Sequence, residues 1–481
     1  MIKIRHFALL LSFTLAFSFL FLMVEGKETT YGTNFRFSNE FSSQDAFKSL
    51  NQIYSSYPSH TDIPKANFTG TYNVTLFVNP DNAEEVIFRY LSSAQSSVFV
   101  SMYTISRPDF NQTLIDLKTS NPSINISVLI SDRRVGSTEN RDTAAAAQSL
   151  VDTGIPVFSS TTDDDKVDGF YHAKYWIIDG KHVFVYSGNW SPRSVTPYEE
   201  TFSSSEGNRD MGIAVHDAPD IAQFFKNEVW EKDVAVANVW STTAIKASLN
   251  KFNSSKVSLK INSPQLYSPI FNSTNIMGEM TLSPMFTPDN ALDIHKAWID
   301  SATSTIEIQN QYITQFDDNV PWDDDPSPLV RSLVNAHNRG VQIRIQVNED
   351  SDSDDISEYL ANKGIEVKWM GNSSSSTDGW LSDTHNKLLI IDGEATLLSS
   401  INFGENGFTN NREAGMVIQN TNVANYYLSI FDADWIDGEI PPYVVITDTT
   451  TTTEEPITSP YSWIAVLISF FSIKIIRRQK K

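Results

Sequence analysis

The sequence predicts a duplicated α/β fold. Short apolar and β-branched runs alternate with helix-like runs along the chain. Their order occurs twice: Phe286-Thr287-Pro288-Asp289-Asn290-Ala291 repeats the pattern of Val78-Asn79-Pro80-Asp81-Asn82-Ala83 at an offset of 208. One motif recurs as well. His172-Ala173-Lys174-Tyr175-Trp176-Ile177-Ile178-Asp179, followed by Ser187-Gly188-Asn189, returns as His385-Asn386-Lys387-Leu388-Leu389-Ile390-Ile391-Asp392, followed by Ser400-Ile401-Asn402. The motif offset is 213, so shared order and near-constant spacing mark an internal duplication.

In the first copy, residues 74–78 read as a strand, Pro80-Asp81-Asn82 opens a helix to about residue 93, and 97–105 returns as a strand. Residues 124–130 form another strand, 142–151 an Ala-rich helix and 155–158 a short strand. The motif strands, 175–178 and 183–186, are joined through Asp179-Gly180, a strong turn pair. A strand at 212–215 precedes a helix at 219–233 with Ile221, Phe224, Phe225 and Val229 on one face. Strands at 305–308, 341–347 and 388–391 and a closing helix at 422–435 repeat the plan.

The ends differ from the body. Residues 7–24 are uncharged and mostly apolar and follow Lys3, Arg5 and His6, so 1–26 is expected to be a signal peptide or signal anchor. Residues 463–476 hold only Lys474 as a charge and run into Arg477, Arg478, Lys480 and Lys481. Counting from Ile457 gives the roughly 20 residues a span needs, with Lys474 able to snorkel. The Thr- and Pro-rich stretch before it cannot bury enough area to fold and is expected to be a stalk. The expected organisation is an N-terminal extension at 27–70, units at 71–237 and 276–440 joined by 238–275, a stalk at 441–460 and a membrane segment with basic tail at 461–481.

The total formal charge is −22, and setting aside the seven Lys and Arg of the two ends leaves the body near about −29. Basic flanks inside and an acidic body outside agree on one topology, a membrane-anchored protein with an extracytoplasmic body. Sequons at Asn67, Asn73, Asn111, Asn125, Asn253, Asn272 and Asn372 are compatible with that face. With no cysteine, disulfides and thiolate metal sites are excluded.

Within a strand, residues two apart share a side, so His172 faces with Lys174 and His385 with Lys387. The runs after them are apolar enough for core strands, which do not carry His and Lys merely for solubility. The turn then returns Ser187 with Asn189, or Ser400 with Asn402, beside the first pair. Two Lys and two Asn can neutralise and bind phosphate oxygens, and two His can divide the roles of nucleophile on phosphorus and acid for the leaving alkoxide. Water would then attack the phosphohistidine, with the former acid as base. This set requires no metal or cofactor, and no clustered ligand set suggests one.

The doubled constellation resembles the phospholipase D superfamily, whose signature is His-x-Lys-x4-Asp-x6-Gly-Ser-x-Asn in two copies. Both copies keep His, Lys, Asp, Ser and Asn at that spacing and depart at the Gly before Ser, which is Tyr186 or Ser399. The resemblance covers roughly residues 72–437. It implies two mixed-sheet sandwich units with the active site at their interface, His172 as nucleophile and His385 as general acid. It also implies catalytic roles for Lys174, Lys387, Asp179 and Asp392, phosphate binding by the Lys, Asn and Ser residues, and an acid after each motif that orients a His. Asn208-Arg209-Asp210 and Asn411-Arg412-Glu413 match that position, which makes Asp210 and Glu413 the orienting residues.

His6, His60, His182, His216, His295 and His337 lack such company and read as structural or surface residues. Asn189 also begins the triplet Asn189-Trp190-Ser191, but a glycan there would block the site, so it reads as a phosphate ligand. Asp163-Asp164-Asp165, Asp323-Asp324-Asp325 and the acidic run at 349–355 read as solvated faces without a calcium-loop pattern. The acidic body disfavours duplex nucleic acid. The expected activity is hydrolysis of phospholipid head groups to phosphatidate and an alcohol. Cleavage of single-stranded nucleic acid is the alternative enzyme, and an inactive surface-binding protein on the same scaffold is the alternative of another class. Oligomeric state has no signal in the sequence.

Overall fold

In the computed structural model, the described residues are 63–131, 141–160, 170–197, 207–240, 270–316, 321–349, 351–370 and 381–438. All belong to one structural unit. The expected N-terminal segment, most of the 27–70 extension, residues 241–269 of the connection, the stalk and the apolar tail lie outside them. Among the described residues, no helix is long and apolar enough to cross a membrane.

The first copy runs β1 (Phe68–Asn79), α1 (Ala83–Leu91), β2 (Ser97–Met102), α2 (Pro108–Ser120), β3 (Asn125–Ser131), α3 (Arg141–Asp152), β4 (Val157–Ser160), β5 (Tyr175–Ile178), β6 (His182–Tyr186) and β7 (Gly207–His216). It closes with α4 (Pro219–Phe224), a π-helical turn (Phe225–Trp230), α5 (Glu231–Val236) and β8 (Asn238–Val239). The second copy runs β9 (Thr274–Thr287), α6 (Ala291–Ser301), β10 (Thr305–Asn310), α7 (Pro328–Asn338), β11 (Gln342–Asn348), α8 (Ser351–Asn362), β12 (Glu366–Met370), β13 (Leu381–Thr384), β14 (Lys387–Ile391) and β15 (Ala395–Ser399). A π-helical turn (Asn406–Asn410), β16 (Glu413–Gln419) and α9 (Thr421–Asp437) complete it.

The strands predicted around the motifs are present, while the 97–105 strand stops at Met102. Helix α2 has no counterpart in the sequence reading, because it buries only Phe110 and Leu114 and shows no sustained apolar stripe. Pro108 starts it, at a position where a missing N–H costs no helical hydrogen bond.

Strands neighbour one another in the order β12-β11-β10-β14-β15-β16-β9-β1-β7-β6-β5-β2-β3-β4-β8. Outward from the β9–β1 seam, β16, β15, β14, β10, β11 and β12 mirror β7, β6, β5, β2, β3 and β4. The duplicated α/β fold is therefore present, with its two sheets joined edge to edge. Antiparallel pairing of β1 with β9, from Phe68 opposite Leu282 to Leu76 opposite Thr274, satisfies the edge of each copy.

Alternation along β5 explains its unbroken apolar run, since both faces are buried. Tyr175 and Ile177 join a core shared with Leu388, Ile390, Met416 and Tyr427 of the other copy. Trp176 and Ile178 face a second core with Val86 of α1, Leu114 of α2 and Leu150 of α3. Segments before the motifs cross between copies. β13 pairs in parallel with β7, Thr384 opposite Arg209, and Tyr171 makes the reciprocal bridge to Arg412.

Candidate active site

That crossing brings each motif His to the other copy. His172 N–H donates to Arg412 O at 2.8 Å, and His385 N–H donates to Arg209 O at 3.0 Å. The next residue after each Arg is an acid, so this register sets a carboxylate beside each imidazole. His172 Nδ1 meets Glu413 Oε1 and Oε2 at 2.8 and 2.7 Å. His385 Nδ1 meets Asp210 Oδ1 at 2.8 Å. A carboxylate on Nδ1 keeps the proton there and leaves Nε2 as the ring atom available to a substrate.

The acids are anchored in turn. Ser400 Oγ donates to Glu413 at 2.6 Å and Asn411 Nδ2 donates at 3.0 Å. Ser187 Oγ donates to Asp210 at 2.8 Å. Lys174 Nζ donates to His172 O at 2.7 Å, and Lys387 Nζ donates to His385 O and, at 3.3 Å, to Gln311 Oε1. Tyr103 stands edge-on to His172 with ring centroids 4.6 Å apart, and Lys174 Nζ lies 5.3 Å from its centroid.

Burial and mutual charge set the protonation states. Burial pulls His172 down to about 4, against a partly opposing Glu413 and with help from Lys174 and Lys387. His385 is lowered by burial and by Lys387, with Asp210 opposing. Burial also brings Lys174 to about 7 and Lys387 to about 8; Glu413 opposes at Lys174, and Asp210 and Glu413 oppose at Lys387. At Glu413 burial acts upward, but His172, Lys174 and Ser400 outweigh it and hold the carboxyl below its ordinary range. Each copy's lysine acts on the other copy's histidine, so the two motifs form one electrostatic site.

Asn189 and Asn402 follow β6 and β15, and each has a buried Oδ1 without a hydrogen-bond partner. That unmet atom is an acceptor, so it is Nδ2 of each amide that can donate to an anion at the strand ends.

Two groups of expected site residues are placed elsewhere. Asp179 and Asp392, read with the catalytic residues, sit in the turns at the far ends of β5 and β14. Asp179 accepts from the N–H groups of Gln95, Ser96 and Ser97, and Asp392 from those of Thr303, Ser304 and Thr305. Their φ values of 54° and 53°, each followed by a Gly at 64°, are those a tight hairpin turn demands. They pin hairpins to the sheet. Ser187 and Ser400, read as phosphate ligands, turn their hydroxyls to Asp210 and Glu413 instead, and each also accepts a backbone N–H, from Met211 or Ala414.

Comparison with known proteins agrees with this geometry. The family described as cardiolipin synthase, PLD-like domain, matches the chain twice, over residues 87–232 and 296–435. The chain belongs to the phospholipase D-like phosphodiesterase family. Among relatives of this family, it is 31% identical to phospholipase D Y of Dictyostelium discoideum over 141 residues, 27% of this chain and 31% of that protein. It is 29% identical to the 5'-3' exonuclease PLD3 of Xenopus tropicalis over 157 residues, 30% of this chain and 31% of that one. These matches span about a third of each relative. The fold is similar to phosphatidylserine synthase of Haemophilus influenzae, with a TM-score of 0.53 and 14% identity over 91% of this chain and 99% of that one.

The departure from the family signature at Tyr186 leaves the site clear. Its ring packs in the outer core, 5.5 Å from that of Phe77, and its hydroxyl donates to Ser194 O. A Cβ at Gly212 would come within 2.8 Å of this ring and one at Gly188 within 2.6 Å, so both glycines make its space. Sequence reasoning missed Tyr103, Gln311, Asn411 and the arginines of the two Asn-Arg-acid triplets. The repeated triplets and the repeated Pro-Asp-Asn were the available signals. Arg209 bonds Asp81 at 3.0 Å, and Arg412 bonds Asp289.

Proposed function

We propose that the protein hydrolyses phosphodiesters through a phosphohistidine on His172. The pairing of His172 with Glu413 and of His385 with Asp210 carries this reading, because it aims two differently placed imidazoles from two copies at one site. With Glu413 ionised, His172 keeps its proton on Nδ1 and offers the Nε2 lone pair to phosphorus. The bond from phosphorus to the leaving oxygen breaks as His385 gives that oxygen its proton. A water then attacks the phosphohistidine and passes its proton to His385, and the P–N bond breaks to release the phosphomonoester. Lys174, Lys387, Asn189 and Asn402 hold the phosphate oxygens. An entering phosphate anion raises the affinity of His385 for its proton, which suits the acid role.

The substrate read here is a phospholipid, cleaved to phosphatidate and the head-group alcohol. Apolar segments with basic flanks at both ends and an acidic body support it, with the body on the extracytoplasmic side. The similarity to a 5'-3' exonuclease over 157 residues supports the second reading, single-stranded nucleic acid. Full-length protein in detergent, assayed on mixed-lipid vesicles and on short oligonucleotides with EDTA present, separates them. Release of head-group alcohol is expected, and cleavage of oligonucleotides alone rejects the lipid reading. Saturable binding to a cell surface with no turnover of any phosphodiester would favour a binding protein. For placement, protease added to intact cells is expected to remove an epitope near Asp448 and spare one after Lys481; protection of both overturns a cell-surface orientation.

A further inference from the structure

Behind each histidine lies a buried polar chain that runs between the copies. Arg209, fully buried, donates through Nε and a terminal nitrogen to both oxygens of Asp434 in α9, at 2.9 Å each. Its other terminal nitrogen donates to Asn79 O and Asp81 Oδ2 at 2.9 and 3.0 Å. Asp434 also accepts from Gln309 Nε2 at 2.9 Å, and Gln309 Oε1 accepts from Asn386 Nδ2 at 3.0 Å. Asn386 sits between His385 and Lys387. The mirror chain runs from Ser101 to the Tyr171 hydroxyl, on to Asp233 and then to Arg412.

Arg209 touches the acid-side histidine in two ways. Its carbonyl accepts the His385 N–H, and its neighbour Asp210 holds the imidazole. Rotation or withdrawal of the Arg209 backbone would move both contacts together. Arg209 has no slack, because its guanidinium is clamped between the β1–α1 junction and α9 of the other copy. Asp210 needs that support more than Glu413 does. Its Oδ2 has no hydrogen-bond partner, whereas both oxygens of Glu413 are engaged.

We propose that Asp434 is a positioning residue for the general acid, acting through Arg209 on the placement of His385. The idea rests on the proposed phosphohistidine reaction and adds a residue remote from the substrate to it. A displaced acid harms departure of a poor leaving group and matters little when the leaving group departs unaided. Loss of general structure instead lowers kcat/KM of every substrate by one factor.

The experiment compares full-length wild type, Asp434→Asn, Asn386→Ala and, as the mirror control, Asp233→Asn. Each is assayed on phosphatidyl-p-nitrophenol and phosphatidylcholine vesicles. If wild type cleaves only nucleic acid, the pair becomes thymidine 3'-(p-nitrophenyl phosphate) and dithymidine phosphate. For Asp434→Asn, kcat/KM of the alkoxide substrate, which ends at departure of the leaving group and so omits the later step in which His385 is the base, is expected to fall at least about tenfold further than that of the nitrophenyl substrate, within the range a general acid supplies. Asp233→Asn, behind the nucleophile, is expected to slow both alike. Asn386→Ala places there the residue that Ala173 already supplies in the first copy and shifts the ratio several-fold in the same direction. Equal losses of kcat/KM on both substrates in a folded Asp434→Asn overturn the proposal. Should that variant not fold, an unchanged ratio in Asn386→Ala does so. Wild type inactive on all four substrates rejects the underlying reaction instead.

Discussion

His172 and Glu413 stand 241 positions apart in the chain and 2.7 Å apart in space. Neither copy of the duplicated unit holds a motif histidine together with its carboxylate partner. Each supplies a histidine to the other's carboxylate, and the same exchange sets the tautomer of each ring.

Replacement of either histidine by alanine is expected to reduce turnover to near background while leaving the thermal transition in place, since both rings line the site and neither fills the shared core. Rapid quenching with a slow, radiolabelled substrate is expected to find phosphate on His172, with more adduct retained in His385→Ala. Phosphate on His385 would reverse the two roles.

Glu413→Gln removes the ionised acceptor that fixes the His172 tautomer. A loss of about 10²–10⁴ in kcat is expected, in line with an orienting carboxylate behind a catalytic histidine. The check is kcat measured beside the circular dichroism of the variant. Near-wild-type kcat in a folded Glu413→Gln would refute the orienting role.

The pH profile of kcat/KM is expected to peak on the acid side. His172 must be neutral to attack, and burial holds it at about 4, so the rate rises with pH through that value. His385 must be protonated, and burial with Lys387 lowers it from 6.5, so the rate falls again before neutrality. Lys174, brought to about 7, stays charged through that window. An optimum at neutral or alkaline pH counts against these assignments.

Asp179→Ala is expected to lower the melting temperature without changing kcat per folded molecule. It removes the acceptor for the backbone N–H groups of Gln95, Ser96 and Ser97, at a net cost of about 1–3 kcal/mol. Asp392→Ala should behave alike. A fall in kcat with unchanged stability would return these residues to the site.

Lys174→Ala is expected to raise KM and lower kcat together, because phosphate charge is present in both ground and transition states. Steady-state titration on the active substrate checks this. A change in KM alone would confine Lys174 to binding.

The residues by themselves determined the duplication, the motif strands and four of the groups that the structure brings together, His172, Lys174, His385 and Lys387, while the family resemblance added Asp210 and Glu413. Periodicity and spacing along one chain suffice there, since a strand puts His and Lys on one side wherever it lies. They also suggested a place for Asp179, Asp392, Ser187 and Ser400 in the chemistry, and this is where local pattern ran out. A carboxylate on a hairpin turn and one beside an imidazole look alike in sequence. Only the tertiary structure decided that Asp179 faces three backbone N–H groups and that Ser187 and Ser400 support acids. It also decided which acid serves which histidine. That choice comes from parallel pairing of 171 with 412 and of β13 with β7, long-range contacts whose register is set by the shared core and by buried arginines reaching across it.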